Sequence, residues 1–225
     1  MHEYDREAGR PIDVQYQYYT GEAAYALSRA HRITGNAKDL RAASAALAYL
    51  VDAWDFVGSR YFFGAEHWTC QALEDLWDRA PNRAALQFCL DYQAFNSRVQ
   101  LGPECELGAY DGGIAQIPVF PPRLTGTASR VEAGVATLAT AIAAGSDPEV
   151  IARVEGELRR ALAFMMRFQF LPGPTHIFAD PLRPLGGIPG SPTELNIRID
   201  YPQHAAGAML RYAQRILEPR AAKQR

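Results

Sequence analysis

The stretch GEAAYALSRAHRITGNAKDLRAASAALAYLV, from Gly21 to Val51, decides the fold. In its first half Ala23, Leu27, Ala30 and Thr34 recur at helical spacing, and in its second Leu40, Ala43, Leu47 and Leu50 do the same. Thr34-Gly35-Asn36 between them is a tight turn. Two helices joined so closely must run antiparallel, as an αα-hairpin.

The same pattern extends along the chain. Further helices are expected over 66–79, 83–97, 129–144, 148–165 and 200–217, which with 21–34 and 37–56 makes seven. Asp147 and Pro148 give the sixth a clean start, a cap followed by a proline at the first helical position. Ala80-Pro81-Asn82 and Gly145-Ser146-Asp147 are again tight turns. The links between hairpins are longer: Phe56 to Ala65, then the Gly- and Pro-rich runs Val99 to Ala128 and Leu171 to Ile199. Short and long connections therefore alternate. All long links, and the N-termini of the first helix of each hairpin, then fall at one end of the stack. Those N-termini read Tyr18-Tyr19-Thr20-Gly21-Glu22, Glu66-His67-Trp68, Ser129-Arg130-Val131-Glu132 and Asp200-Tyr201-Pro202-Gln203-His204. The second helices start blandly, so polar and aromatic chemistry gathers on one face.

Composition bounds the function. The chain has 225 residues, 48% hydrophobic and 21% charged, with a formal net charge of −2. That is the balance of one globular domain, neither disordered nor a coiled coil. The near-neutral charge excludes a strongly basic surface, and nucleic acid is not an expected partner. No apolar run is long enough to span a membrane. The start, MHEYDREAGRPID, lacks the apolar centre of a signal peptide, so the expected compartment is the cytoplasm. Its His2-Glu3-Tyr4-Asp5 reads as the middle of a longer pattern. The domain is expected over 1–225, with an N-terminal extension at 1–17 and a frayed basic tail at 218–225. Cys70, Cys89 and Cys105 match neither a disulfide framework nor a zinc ribbon; Cys70 and Cys89 fall within helical patterns and read as core fillers.

Residues 21–51, AEHWTCQALEDLW (65–77) and RIDYPQHAAGAMLRY (198–212) resemble the hairpins of the α/α toroid. This is the superfold of six-hairpin glycosidases, polysaccharide lyases, sugar epimerases and terpene cyclases. The resemblance covers nearly the whole chain and is architectural. It implies an all-α arrangement of consecutive antiparallel hairpins and a site in the funnel at the N-terminal ends of the inner helices. Seven helices are too few for a full ring, so the expectation is an open arc or partial toroid, or a ring completed by a homodimer or a partner chain. A terpene-cyclase reading is disfavoured because no Asp-rich DDxxD or DxDD cluster is present.

Within that funnel the candidates divide by chemistry. Glu66 and Asp200 are expected to be the acid/base groups, and His67 and His204 their proton-transfer partners. Asp200 and His204 stand at i and i+4, one turn apart. Arg130 offers a planar fork to a carboxylate or sulfate, with an ion pair to Glu132 or Glu66 as the bland reading. Tyr19, Trp68 and Tyr201 are candidate sugar-stacking rings. Glu22, Glu132, Arg198 and Gln203 complete the expected substrate contacts, and Asp111 joins the pool of carboxylates that a glycosidase would need in a pair. No HxH or HExxH spacing is present, so neither metal nor cofactor is expected, although His67, His204 and a carboxylate could meet in space. The expected ligand is a small molecule or an oligosaccharide, with cleavage or epimerisation of a sugar or uronic-acid glycan as the expected chemistry. The rival reading is a non-catalytic hairpin module that binds another chain.

Overall fold

The computed structural model describes residues 3–12, 18–53, 67–115 and 121–223. The expected N-terminal extension contains a small hairpin, β1 (Glu3–Asp5) paired antiparallel to β2 (Arg10–Ile12). Asp5 Oδ1 accepts from the amides of Glu7 and Ala8, and Gly9 takes the left-handed conformation that closes the turn.

The rest is α-helical. In order come α1 (Tyr19–Thr34), α2 (Ala37–Ala53), α3 (His67–Leu76), α4 (Arg83–Val99), α5 (Leu124–Ala143), α6 (Pro148–Arg167), α7 (Asp200–Tyr212) and a short α8 (Glu218–Lys223). Gly35 ends α1 in the left-handed conformation, its amide donating to the His31 carbonyl. Asn82 caps α4 by accepting from the Ala85 amide, and Asp147 caps α6 by accepting from that of Glu149. These are the tight turns expected from sequence.

The odd-numbered helices pack side by side in the order α1, α3, α5, α7. α2 folds back on α1, while α4 and α6 pack on α5. α5 lies at the centre. Sixteen of its twenty residues are buried, and its apolar side chains enter two core clusters. One joins Val131, Val135 and Leu138 to Val154, Leu158, Phe164 and Ala208 from α6 and α7. The other joins Ala133 and Ala136 to Leu47, Leu73, Leu76, Leu86 and Tyr92 from α2, α3 and α4. Small residues make this crowding feasible: a methyl at Gly134 would overlap the Leu158 side chain.

Several expectations need correction. α5 starts at Leu124, not Ser129, so Arg130 and Glu132 lie inside the helix instead of opening it. The small, low-propensity run Thr125-Gly126-Thr127 conceals this first turn in the sequence. Cys70 and Cys89 are not free core fillers: they form a disulfide between α3 and α4, with both residues fully buried. Closing a loop of this length contributes about 3 kcal/mol by chain entropy. Cys105 is the free cysteine among the described residues.

Both long links are anchored to the helices. Arg160 of α6 donates to Asp111 Oδ1 and to the Leu101 carbonyl. Gly112, at φ 88°, lies so close to the Arg160 carbonyl that no side chain would fit. In the second link Phe170 and the Gly186–Gly187 backbone exchange hydrogen bonds, and Gly190 accepts from the Leu124 amide.

Residues 218–223 of the tail are helical, against the expectation of fraying. A π-helical turn over Ala213–Leu217 leads into α8, which brings Arg220 onto Glu155 of α6 in a two-point ion pair of 2.5 and 2.7 Å. The Arg220 hydrogen bonds hold the Glu155 carboxyl below its ordinary value, against the opposing effect of burial. A depressed carboxylate pKa adds stability above the unfolded value, about 4.3, and that stability is lost as pH falls through the folded one. Because Arg220 is half-exposed, its contribution is only about 0.5–1 kcal/mol. Arg220→Ala is therefore expected to lower stability by that amount at pH 7 and by almost nothing at pH 3. Chemical denaturation at the two pH values checks this, and equal losses at both would contradict it.

Candidate functional site

The strongest concentration of chemistry among the described residues is His67, Glu132 and His204. The three come from α3, α5 and α7, and one ligand-type atom from each lies within 4.8 Å of the other two. His67 opens α3, His204 is in the first turns of α7, and Glu132 stands in the middle of α5. Two are buried, with His67 6% and Glu132 7% exposed, and the His204 side chain is 15% exposed.

Glu132 Oε2 lies 2.7 Å from His204 Nδ1. An ionised carboxylate only accepts, so Nδ1–H is the donor and the tautomer follows from this contact. The two imidazoles meet edge to face, their centroids 5.3 Å apart. Trp68 stacks obliquely on His67 at 4.4 Å, lies 6.1 Å from the His204 ring, and reaches Tyr25 of α1 at 5.8 Å. A row of rings thus runs from α1 to α7 past the carboxylate.

Two glycines allow the helices to approach. A Cβ on Gly207, one turn after His204, would overlap Glu132 Oε1. A Cβ on Gly21 would lie 3.0 Å from Trp68 Cβ. Both positions look unremarkable in a helix of small residues, and only the packing shows what they do.

A second carboxylate, its side chain 9% exposed, lies further along the same helices. Glu74 of α3 pairs with Arg211 of α7 and with Arg215 of the π-helical turn that follows it, and Arg211 also donates to the Tyr25 hydroxyl at 3.0 Å. Asp75 pairs with Arg29 and Arg32 of α1. These arginine-neutralised carboxylates tie the odd helices together. Sequence reading missed them because each pair is far apart along the chain.

The sequence-derived candidates divide sharply. His67, His204, Glu132 and Trp68 come together. Glu66 lies outside the described residues. Asp200 does not orient His204; it pairs with Arg198 at 3.2 Å, while His204 turns to Glu132. Tyr201 is buried, its ring under Arg198 at 5.4 Å and its hydroxyl 3.4 Å from Arg123, so it packs the second long link and is no free stacking surface. Arg198 itself is exposed. Tyr19, Glu22 and Gln203 are exposed near the N-terminal ends of α1 and α7. Asp111 is held by Arg160, away from the histidines.

Arg130 departs most from expectation. It is 1% exposed, and its Nε and Nη1 have no hydrogen-bond partner among the described residues. It does not pair with Glu132, since residues two apart on a helix point to opposite sides. Its guanidinium is therefore enclosed among the helices and not presented at the surface. Gln71, Gln93 and Asn96 are also buried with polar atoms unpartnered among the described residues. Each such group costs about 1–3 kcal/mol.

Comparison with known proteins gives no match: no family model, no curated protein and no solved structure is similar to this chain.

Gly207→Ala is expected to force the Glu132 carboxylate away from α7, with a stability loss of about 1–3 kcal/mol from overpacking. In the native protein the His204 Nδ1 proton should resonate at low field in a histidine-selective NMR spectrum. It should vanish in the variant. An unchanged signal would contradict the packing described.

Proposed function

We propose that this chain is a carbohydrate-active protein of the α/α-toroid type, an open arc of hairpins. It binds a sugar or uronic-acid glycan at the N-terminal ends of its odd-numbered helices and cleaves or epimerises it there. The observation that carries the reading is the His67–Glu132–His204 cluster beside the half-buried Trp68. An indole face next to buried ionisable groups combines a sugar-stacking platform with reactive chemistry. The side-by-side order of α1, α3, α5 and α7 supports it, since it gathers these residues towards one end.

The cluster also narrows the chemistry. Two-carboxylate glycoside hydrolysis needs a second acid or base within about 5–10 Å of the first. Among the described residues Glu132 is the one carboxylate that meets the histidines, and Asp200, Asp111 and Glu74 are each committed to arginine. Chemistry centred on the imidazoles fits better. The buried Cys70–Cys89 disulfide weighs for an oxidising compartment over the cytoplasm. No described helix is long and apolar enough to cross a membrane.

A thermal-shift screen with neutral and acidic oligosaccharides tests the reading, run with the wild-type chain and Trp68→Leu. A ligand at 100 times its dissociation constant adds about 2.7 kcal/mol, a rise of a few degrees. The expected result is such a rise for the acidic members, weakened at least tenfold in apparent affinity by the Trp68 substitution. A flat response across the panel would overturn the proposal in favour of a non-catalytic hairpin module. Its exposed Ile177, Leu182 and Ile199 would then be the surface to cover with a partner chain.

A further inference from the structure

We propose that His67, Glu132 and His204 bind a divalent first-row transition-metal ion, zinc-like in its preference. The proposal deepens the functional reading at the same cluster, but it stands on the three side chains alone.

The donor set is the first argument. Two imidazoles and one carboxylate form the mixed nitrogen and oxygen set that suits zinc, iron(II) or cobalt(II). Calcium and magnesium take oxygen ligands almost exclusively and are not expected. The geometry is the second. The three ligand-type atoms already converge within 4.8 Å, one from each of three packed helices. Donors about 2.0–2.2 Å from a zinc ion stand roughly 3–3.5 Å apart. The Glu132–His204 contact of 2.7 Å needs slight widening, with the His204 proton moving from Nδ1 to Nε2 so that Nδ1 can ligate, and no separation in the group exceeds 4.8 Å.

The third argument is a comparison within the molecule. On α3 the buried Asp75 and the Glu74 side chain, 9% exposed, are neutralised by arginines, which stay charged and cannot ligate. Glu132 is equally buried, yet it meets imidazoles. Gly207 supplies the space its Oε1 occupies. The fold thus neutralises its other enclosed α3 carboxylates with arginine and uses a different solution here. Three protein ligands leave at least one coordination position open, which is the pattern of a catalytic ion and not of a structural one. A hydroxyl or carboxylate oxygen of a glycan, or water, could occupy it.

The test uses the full chain, stripped with EDTA and dialysed. It is titrated with cobalt(II) and followed by visible absorption, then with zinc by calorimetry. The expected result is one ion per chain and a cobalt spectrum of four- or five-coordinate character. Glu132→Gln and His204→Asn should each weaken binding by more than about 100-fold, beyond the 10–100-fold typical of changes to groups that merely support a ligand. His31→Ala, His176→Ala and Cys105→Ser, which alter residues away from the cluster, should bind as the wild type does. Circular dichroism and thermal unfolding identify any variant that fails to fold, and His67→Asn then replaces it.

Absence of stoichiometric binding would overturn the proposal. So would binding that survives the cluster substitutions or is lost in a control variant. Metal binding without any response to glycans would leave this proposal standing while overturning the carbohydrate reading. A glycan response with no metal bound would do the reverse.

Discussion

Burying the Glu132 carboxylate in the middle of α5 is the constraint on which the rest of the site depends. A carboxylate taken out of water is costly unless it is paired and hydrogen-bonded. On α5 itself Arg130 points to the opposite side of the helix, Ser129 donates to the Gly126 carbonyl, and Ala128, Val135 and Ala136 have no polar side chain. Compensation must come from neighbouring helices, and it comes from His204 of α7, with His67 of α3 in the same cluster. For α7 to approach closely enough, position 207 has to be glycine. One buried charge thus dictates residue choice on three helices.

The same central helix explains the architecture. α5 is buried on nearly all sides, so it cannot have the polar stripe of an ordinary surface helix. Its alanines, glycines and threonines let α3, α4, α6 and α7 all reach it. Thr137 and Thr140 satisfy their buried hydroxyls on carbonyls one turn back. Two core clusters form on either side of this helix, and the Cys70–Cys89 disulfide locks α3 to α4 beside one of them. The tail helix docks from the other side through Arg220 and Glu155.

Much of the fold is legible in the sequence because it is local. The Gly35 turn, the Asn82 and Asp147 caps and the leucine periodicity of α2 and α6 all depend on near neighbours. Features set by distant partners are not legible. The start of α5 is hidden by Thr125-Gly126-Thr127, whose low intrinsic propensity is overruled by tertiary packing. The disulfide is hidden because Cys70 and Cys89 meet only when α3 and α4 fold against each other. The site shows the same division. His67, Trp68 and His204 are visible as polar or aromatic residues opening small-residue helices. Glu132 could be named as a contact, but not as the hub. The i, i+4 spacing of Asp200 and His204 pointed to a local pair, whereas the stronger partner lay 72 residues away.

The most direct measurement is a double-mutant cycle on Glu132→Gln and His204→Gln, with unfolding free energies measured in EDTA so that bound metal does not contribute. If Glu132 is compensated through His204, the two losses are strongly non-additive. The coupling energy should be about 1.5–3 kcal/mol, as for a hydrogen bond to a charged group. Additive losses, with a coupling below about 0.5 kcal/mol, would mean that the carboxylate does not depend on α7, and the account of the site would fail.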